Sequence, residues 1–347
     1  MQIDLIKDIN KFKELKEDWN LLYESTNSTI FQSFEFNYFS WKDELSFSEL
    51  SNRLSIVVIR IEKKINTVYP FYIDNKRKLR FINDIHFDFC DIITRKSINF
   101  VIVYSYLKRK FDFKSMRLIN VKKDSNIYNA INELNINNKL ITSISQYSFL
   151  SVDQGIFPYN ISHYRSKQKS RINNAYNKHK NKKHHILNND INIFPMEEIL
   201  LLKQRMIELS IRKEDFFTKQ RMLLIEHLYN AGIIIISIIK EEDRVNAISF
   251  ILKDSSNEFV FWIDLFDDTQ MINIFNYINF IKTISLDRSI VLNFGRGFYS
   301  YKVFNFVPEF YELYGVYIFP NRFQKLRFIV FKKLKGFIKL ILKKLKK

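Results

Sequence analysis

Asp264 sits inside the run FWIDLFD, between Trp262 and Ile263 on one side and Leu265 on the other. An acid in so apolar a run is costly to bury without a partner. If it is desolvated, its pKa rises toward the range useful to a general base, a group that can take a proton from an amine. The alternative is that it points outward or ends a strand. A second constellation lies at IVLNFGRGFYSYKVFNF, residues 290–306. Two of only six glycines, Gly295 and Gly297, flank Arg296. A tight turn would need glycine for backbone freedom, but the enclosed arginine offers a planar fork for phosphate or carboxylate. Tyr301 and Lys302 follow, as a surface pair or as a proton donor and an anion clamp. A third candidate is INDIHFDFCDII, where strand alternation puts His86 and Asp88 on one face, with Asp91 nearby. They can bind or deprotonate an amine, or cap a loop.

Other reactive types are less eloquent. Six histidines without a His-x-x-x-His spacing on a helix argue against a metal centre. The adjacent His184 and His185 fall in a polar stretch and are expected to face water. Cys90 is the one cysteine, which excludes a disulfide framework and cysteine-clustered metals, and it reads as a small core residue. Lys169 and Arg171 belong to a basic helix over 162–183, either a solvated face or a lining for a phosphate-bearing substrate such as a nucleotide sugar.

Elements able to position these residues follow from periodicity. Apolar residues at 5, 9, 12, 15, 19 and 22 predict a helix over 4–23. FQSFEFNYFSW predicts a second, entered at Ser33 as a cap. LSIVVIRIE and INTVYPFYI read as a hairpin. Strand, helix, strand, helix and strand follow to residue 152. The second half repeats the order: helices at 196–209 and 217–232, a hairpin at 233–252, a strand at 257–267, a helix at 269–285, a strand at 290–294, a short helix and a last strand at 311–319. The expected fold class is α/β with mixed sheets, in two similarly built domains, 1–153 and 154–320, followed by a basic helix at 321–347.

Charge is unevenly placed. Residues 154–189 carry eight Lys/Arg and no acid, and residues 313–347 carry eleven and no acid. With 46% hydrophobic residues the chain has enough apolar material to close two cores, so a disordered chain is excluded. The N-terminus has early acids and no continuous apolar core, unlike a signal peptide. AGIIIISII, the longest apolar run, is about half the ~20 residues of a spanning helix. A cytoplasmic protein is expected.

The stretch 290–306 resembles the strand–FGxG–xxxYKxxF signature of the CelD/BioF-like branch of the GNAT acyltransferases. FQSFEFNYFSW, VYPFYI, DFCDII and SKQKSRINNAYNKHK are similar in type and order to further segments of that branch, so the likeness spans roughly residues 15–315. The resemblance implies a tandem GNAT fold, an acyl group moved from acyl-CoA (acetyl-CoA) to an amine, and no metal. The acceptor it implies is an amino sugar or nucleotide-sugar precursor of the cell envelope. In that reading Tyr301 protonates the leaving thiolate. Asp264, or His86 with Asp88, acts as base. Arg296 and Lys302 hold anionic parts of the substrate, and Gly295, Gly297, Asp91, Lys169 and Arg171 line its site. FemAB-type aminoacyl-transferases share the doubled architecture, with aminoacyl-tRNA as donor and a peptidoglycan precursor as acceptor; a non-catalytic scaffold is a third reading. One turn departs from the GNAT pattern. FDDTQMIN, 266–273, has no glycine and two acids, where a pyrophosphate would need open backbone N–H groups.

The tail has apolar residues at 323, 326, 330, 334, 337, 341 and 345, one helical stripe. Lys332, Lys335, Lys339 and Lys343 lie across from it, while Phe337 and Ile341 continue it. Central lysines forbid spanning, but such a helix can lie in the plane of an anionic leaflet. The expectation is peripheral attachment to the inner membrane face.

Overall fold

A computed structural model of the chain describes residues 1–46, 52–82, 84, 88–96, 98–157, 164–254 and 257–345, with the side chains of 214, 300, 301 and 335–345 outside the described part. In chain order the strands are β1 (Gln2–Ile6), β2 (Arg53–Leu54), β3 (Ile56–Ile61), β4 (Lys64–Tyr69), β5 (Phe71–Ile73), β6 (Lys78–Phe81), β7 (Ile93–Thr94), β8 (Ser115–Lys122), β9 (Lys139–Val152), β10 (Lys183–Leu187), β11 (Ile234–Glu241), β12 (Arg244–Lys253), β13 (Glu258–Phe266), β14 (Ile290–Arg296) and β15 (Glu309–Ile318). The helices are α1 (Ile9–Glu14), α2 (Lys16–Glu24), α3 (Phe34–Phe39), α4 (Phe100–Lys110), α5 (Asn126–Asn132), α6 (Ser166–His179), α7 (Met196–Glu208), α8 (Lys219–Asn230), α9 (Ile272–Ile284), α10 (Ser300–Phe306) and α11 (Arg322–Leu345). The expected class, α/β with mixed sheets, is what the chain adopts; in each half helices precede a β-hairpin and strands alternate with helices after it, but the first half opens on a strand, β1, and the second inserts β10 after its first helix.

The chain forms two compact units. The first comprises Met1–Asn27, Glu49–Ile144 and Leu313–Lys347; the second comprises Ser28–Ser48 and Ser145–Glu312. The cut is therefore not a single joint near residue 153. Residues 28–48 pack in the second unit, where Arg221 of α8 donates to Glu44 at 2.5 Å and Trp262 meets Phe36 edge-on at 5.3 Å.

In the first unit, β1-β3-β4-β7 form an antiparallel sheet, and residues 4–6, the start of the expected N-terminal helix, belong to its edge strand, Gln2–Ile6 against Ile56–Arg60. Alternation of Gln2 and Asp4 with Ile3 and Leu5 suits a half-covered strand better than a helix. INTVYPFYI is likewise two strands. Pro70 has no N–H for a ladder, and the chain leaves β4 there to enter β5, in a separate sheet. That sheet runs β15-β8-β6-β5-β2. β6 and β8 pair in parallel, and α4 lies between them in sequence, as a parallel crossover requires.

The C-terminal α11 belongs to this unit. Lys325 donates to the Asn137 carbonyl at 3.1 Å, and Lys332 to the Thr142 hydroxyl at 3.0 Å. Phe328 packs on Tyr317 and Phe319. Positions 325, 328 and 332 share one helix face. The other face is left open: Phe323 is 74% exposed, Leu326 60%, Val330 54% and Leu334 54%. The stripe seen in the sequence therefore faces away from the unit's own core. Lys332, expected at a membrane, is engaged by β9 instead. Lys335, Phe337, Lys339, Ile341 and Lys343 lie outside the described side chains. Among the described residues no helix is long and apolar enough to cross a membrane.

In the second unit the sheet runs β10-β11-β12-β13-β14-β9, antiparallel except for β13 with β14. α9 makes the crossover between that parallel pair, and its Tyr277, Ile278, Phe280 and Ile281 pack with Phe259, Phe261, Leu292 and Phe294 in a buried core. That packing fixes the two strands on which the candidate site is built.

Candidate active site at a splayed strand pair

The parallel pair β13 and β14 is short. Its register holds for Glu258 with Val291, Phe259 with Leu292 and Val260 with Asn293. β13 then continues to Phe266 and β14 to Arg296 without pairing to each other. Two parallel strands that part at their carboxyl ends open a crevice, the usual place for a ligand in sheets with crossover helices.

Asp264 lies on β13 beyond the splay point. β13 carries a bulge against β12: Ile251 faces Phe261 and Phe250 faces Ile263, so Trp262 is the extra residue. In a regular strand residues 261 and 264 point to opposite faces. The bulge re-aims them, and both touch Tyr277 of α9: Phe261 stacks on its ring at 4.0 Å, and its hydroxyl donates to Asp264 Oδ2. Asp264 Oδ1 accepts from Ser249 at 2.7 Å. Burial pushes the carboxyl above the usual range. The hydrogen bonds of Tyr277 and Ser249, and the charges of Lys302 and Arg212, pull the other way without cancelling it. The expectation that Asp264 is an acid inside an apolar strand, with a raised pKa, matches the geometry.

Behind Asp264 runs a chain of polar side chains that sequence reading missed. Ser249 accepts from Asn276 Nδ2 at 3.0 Å; Asn276 Oδ1 accepts from Ser237 at 2.7 Å; His184 Nε2 lies 2.8 Å from Ser237 Oγ. Ser237 spends its proton on Asn276, so His184 must donate from Nε2. Burial, reinforced by His185, lowers the pKa of His184 to about 4, so the ring is neutral. His184 therefore does not face water as its polar neighbours suggested. Asn276 Nδ2 also donates to the Ser237 carbonyl at 3.1 Å, and the side-chain relay from His184 through Ser237, Asn276 and Ser249 ends with Asp264 as an acceptor. The signal was present as Ser237 and Ser249 within otherwise apolar strands, but only the pairing of β11, β12 and β13 aligns them.

β14 ends in a second irregularity. Its register against β9 shifts between Asn293 and Arg296. Gly295 has φ +68°, and its N–H donates to Asn293 Oδ1 at 2.8 Å. Asn293 Nδ2 is buried with no acceptor among the described residues. Gly297 has φ +103°, and a Cβ there would come within 2.7 Å of the Tyr299 ring. Gly297→Ala is thus expected to destabilise the protein by about 1–3 kcal/mol, read as a lowered unfolding midpoint; an unchanged midpoint would show that the corner relaxes freely. Lys302, read as a surface residue or an anion clamp, is only 3% exposed. Its ammonium donates to the Phe294 carbonyl and lies 4.8 Å from the Tyr299 ring. It holds the Phe294 carbonyl at the bulge of β14 and places a positive charge near Asp264.

Arg296 is half-buried at the strand end. Arg171 of α6 donates to the Phe304 carbonyl at 3.0 Å and covers the Phe304 ring at 5.0 Å, which brings the basic helix beside α10. Lys169 lies half-buried on α6. Three aromatics around this corner are open to solvent, Phe298 at 64%, Tyr299 at 53% and Phe304 at 54%. The structure thus gathers Asp264, Gly295, Arg296, Gly297, Lys302, Lys169 and Arg171 within the second unit. Tyr301 starts α10, with its side chain outside the described part.

Asp88 and Asp91 belong to the first unit. Asp88 is buried. Asp91 accepts from Ile92, Asn126 and Ile127 backbone N–H groups at 2.8–3.0 Å, so its oxygens cap α5 in place of a substrate. Burial, against those bonds, lifts its pKa to about 6. His86 lies outside the described residues. Among the described residues no three His, Cys, Asp or Glu side chains converge as a metal site would need.

The turn before α9 differs from a phosphate cradle. Asp267 is buried and accepts from Arg244, Asn246 and the Thr269 N–H; burial raises its pKa, but these bonds outweigh burial and hold it below the usual range. Met271 occupies a left-handed position at φ +64°, and α9 starts only at Ile272, beyond the caps offered by Asp268 and Thr269. The N–H groups of Thr269, Ile272 and Ile274 all have acceptors within the turn.

No protein-family sequence model and no curated protein sequence matches the chain. Solved structures do. The chain is similar to FemX (TM-score 0.60, 9% identity, covering 94% of this chain and 99% of that one). It is similar to L-PGS from Bacillus licheniformis (0.58, 14%, 96% and 99%). It also matches the C-terminal domain of a protein assigned as a lysylphosphatidylglycerol synthetase from Agrobacterium fabrum (0.58, 9%, 92% and 95%). The chain shares the fold of these three structures.

Proposed function

We propose that this chain is an acyltransferase that moves an acyl group from an activated donor onto an amine, with the reaction at the splayed ends of β13 and β14. The observation that carries the reading is Asp264: a desolvated carboxyl held as an acceptor by Ser249 and Tyr277, beyond the point where the parallel strands part. In the proposed step Asp264 takes a proton from the acceptor ammonium, and the neutral amine attacks the donor carbonyl. The unused amide hydrogens of Asn293 stabilise the oxyanion. Collapse of the tetrahedral intermediate expels the donor's thiolate or alkoxide, which Tyr301 protonates, and the surplus proton left on the attacking nitrogen returns to the Tyr301 phenolate. Arg296 holds an anionic part of the substrate, and the exposed aromatics beside it offer faces for a planar group.

The donor expected of a GNAT fold is acyl-CoA, with an amino sugar or nucleotide sugar as acceptor. The turn at 267–274 favours a second donor. The N–H groups of Thr269, Ile272 and Ile274 are taken, and Asp268 lies exposed at the turn, where its charge would repel a pyrophosphate. An aminoacyl-tRNA, the donor of FemAB-type enzymes, has no need of that turn, and the acid-free basic helix α6 suits it. The acceptor in that reading is an envelope precursor at the membrane. The names of the FemX and lysylphosphatidylglycerol synthetase neighbours lean the same way. Thermal shift with acetyl-CoA and with aminoacyl-tRNA separates the two, since a ligand at 100 times its Kd stabilises by about 2.7 kcal/mol. Stabilisation by neither would overturn both.

Lys302→Met gives a further expectation. Its charge favours ionised Asp264, so removing it raises the Asp264 pKa further. The acid limb of the transfer rate against pH should move to higher pH; an unmoved limb would separate Lys302 from the base.

A further inference from the structure

A surface cavity of about 270 Å³ in the first unit plays no part in the transfer site. Lys78, Ser115, Arg117, Tyr317, Phe319 and Phe328 line it. The strands place the cations together. β6 pairs Lys78 with Ser115 of β8, and Arg117, two residues on, shares that face. β15 sets Tyr317 opposite Arg117. α11 then closes one side with Phe328, whose ring lies 4.9 Å from Tyr317 and 5.3 Å from Phe319.

Among the described residues neither cation has a carboxylate at ion-pair distance, and Asp74 acts on Lys78, and Asp84 on Arg117, only from further away. The nearby acids are committed elsewhere: Arg80 pairs with Asp84 and lies 3.7 Å from Asp74. Arg117 Nε is buried and has no hydrogen-bond acceptor. A buried guanidinium N–H without an acceptor is less stable than a satisfied one. Burial lowers the Lys78 pKa, and the charges of Arg117, Lys76 and Arg80 add to that, against Asp74. Two mutually repelling cations with an open N–H make a cavity that is short of one anion.

We propose that this cavity binds a phosphate ester, its oxygens on Arg117 and Lys78 and its apolar or planar remainder against the rings of Tyr317, Phe319 and Phe328. A guanidinium fork and a point-charge ammonium are the usual pair for phosphate. The volume lies just under the ~300 Å³ at which pockets begin to hold drug-sized ligands, which suits a glycerophosphate-sized group. That group has two possible sources, the headgroup of an anionic phospholipid or a soluble phosphate ester. The site stands independently of the transfer reading.

The test uses the full chain and the variants Arg117→Gln and Lys78→Met. Calorimetric titration with glycerol 3-phosphate reads the soluble arm; cosedimentation with phosphatidylglycerol vesicles, against phosphatidylcholine alone, reads the lipid arm. Each variant should weaken binding in at least one arm by about tenfold, as loss of a charge-assisted hydrogen bond does, with the ligand-free melting midpoint no lower than that of the wild type. A loss confined to vesicles assigns the lipid headgroup, and a loss confined to glycerol 3-phosphate assigns the soluble ester. If wild type and both variants behave alike in both arms, the proposal is overturned. Lys78→Met serves alone if Arg117→Gln fails to fold.

Discussion

Asp264→Asn is expected to lower acyl transfer by about 10²–10⁴-fold, the usual contribution of a positioned base, while the protein stays folded. The substitution keeps the side chain's shape and its place between Ser249 and Tyr277, but removes the group that accepts the proton. Folding should not suffer at neutral pH, and the sign follows from linkage. Asp264 has a folded pKa above 3.8, so the folded state holds this proton more tightly than the unfolded chain does. Its contribution is most favourable below about pH 4 and declines as pH rises through the raised value. Above that range an ionised buried carboxylate disfavours the fold, and the Asn variant should melt no lower than wild type by more than a few degrees. Asp84 and Asp91, both raised to about 6, tilt the wild-type curve the same way, so the informative quantity is the difference between wild type and variant. Equal transfer rates for the two proteins would remove Asp264 from the chemistry.

The second large effect is expected at the tail. Leu326, Val330 and Leu334 are more than half exposed on α11, so replacing all three with Ser leaves the fold's core untouched. In the reading that this helix lies on an anionic membrane, each buried Leu or Val contributes about 1.5–3 kcal/mol, and each lysine near the surface about 1 kcal/mol. The triple variant should partition onto phosphatidylglycerol vesicles at least about 100-fold more weakly. Wild-type binding should fall as salt rises. Lys332→Gln should matter less than its sequence position suggested, because that ammonium bonds to β9. Unchanged partition of the triple variant would show that the stripe meets something other than lipid. A membrane surface for the enzyme would also fit an acceptor that is itself lipid-linked.

Much of this was legible in the chain before any fold was seen. The repeated order of elements followed from periodicity, Ser33 does cap α3, and the apolar stripe of α11 is real. The corner at residues 290–306 was marked by two glycines in a chain that has only six, and both take positive φ. What could not be read was set by pairing. The bulge at Trp262 turns Asp264 toward α9, and nothing in FWIDLFD distinguishes a bulged strand from a regular one. Lys302 looked solvated because lysine usually is; only the unpaired Phe294 carbonyl beneath it explains its burial. His184 looked exposed because its sequence neighbours are polar, whereas its partner Ser237 comes from the adjacent strand. Residues 28–48 could not be assigned to the second unit, since their contacts lie far along the chain, as Asp43 with His227 shows. Local propensity decided the elements, and non-local register decided which side chains meet.

Hydrogen exchange of the full chain, with and without a saturating donor, acetyl-CoA or aminoacyl-tRNA, tests the transfer site most directly. Slowed exchange at residues 261–266 and 294–306 is expected, because the donor's carbonyl would lie against the ends of the parted strands. Protection confined to other segments, with those two unchanged, would contradict it.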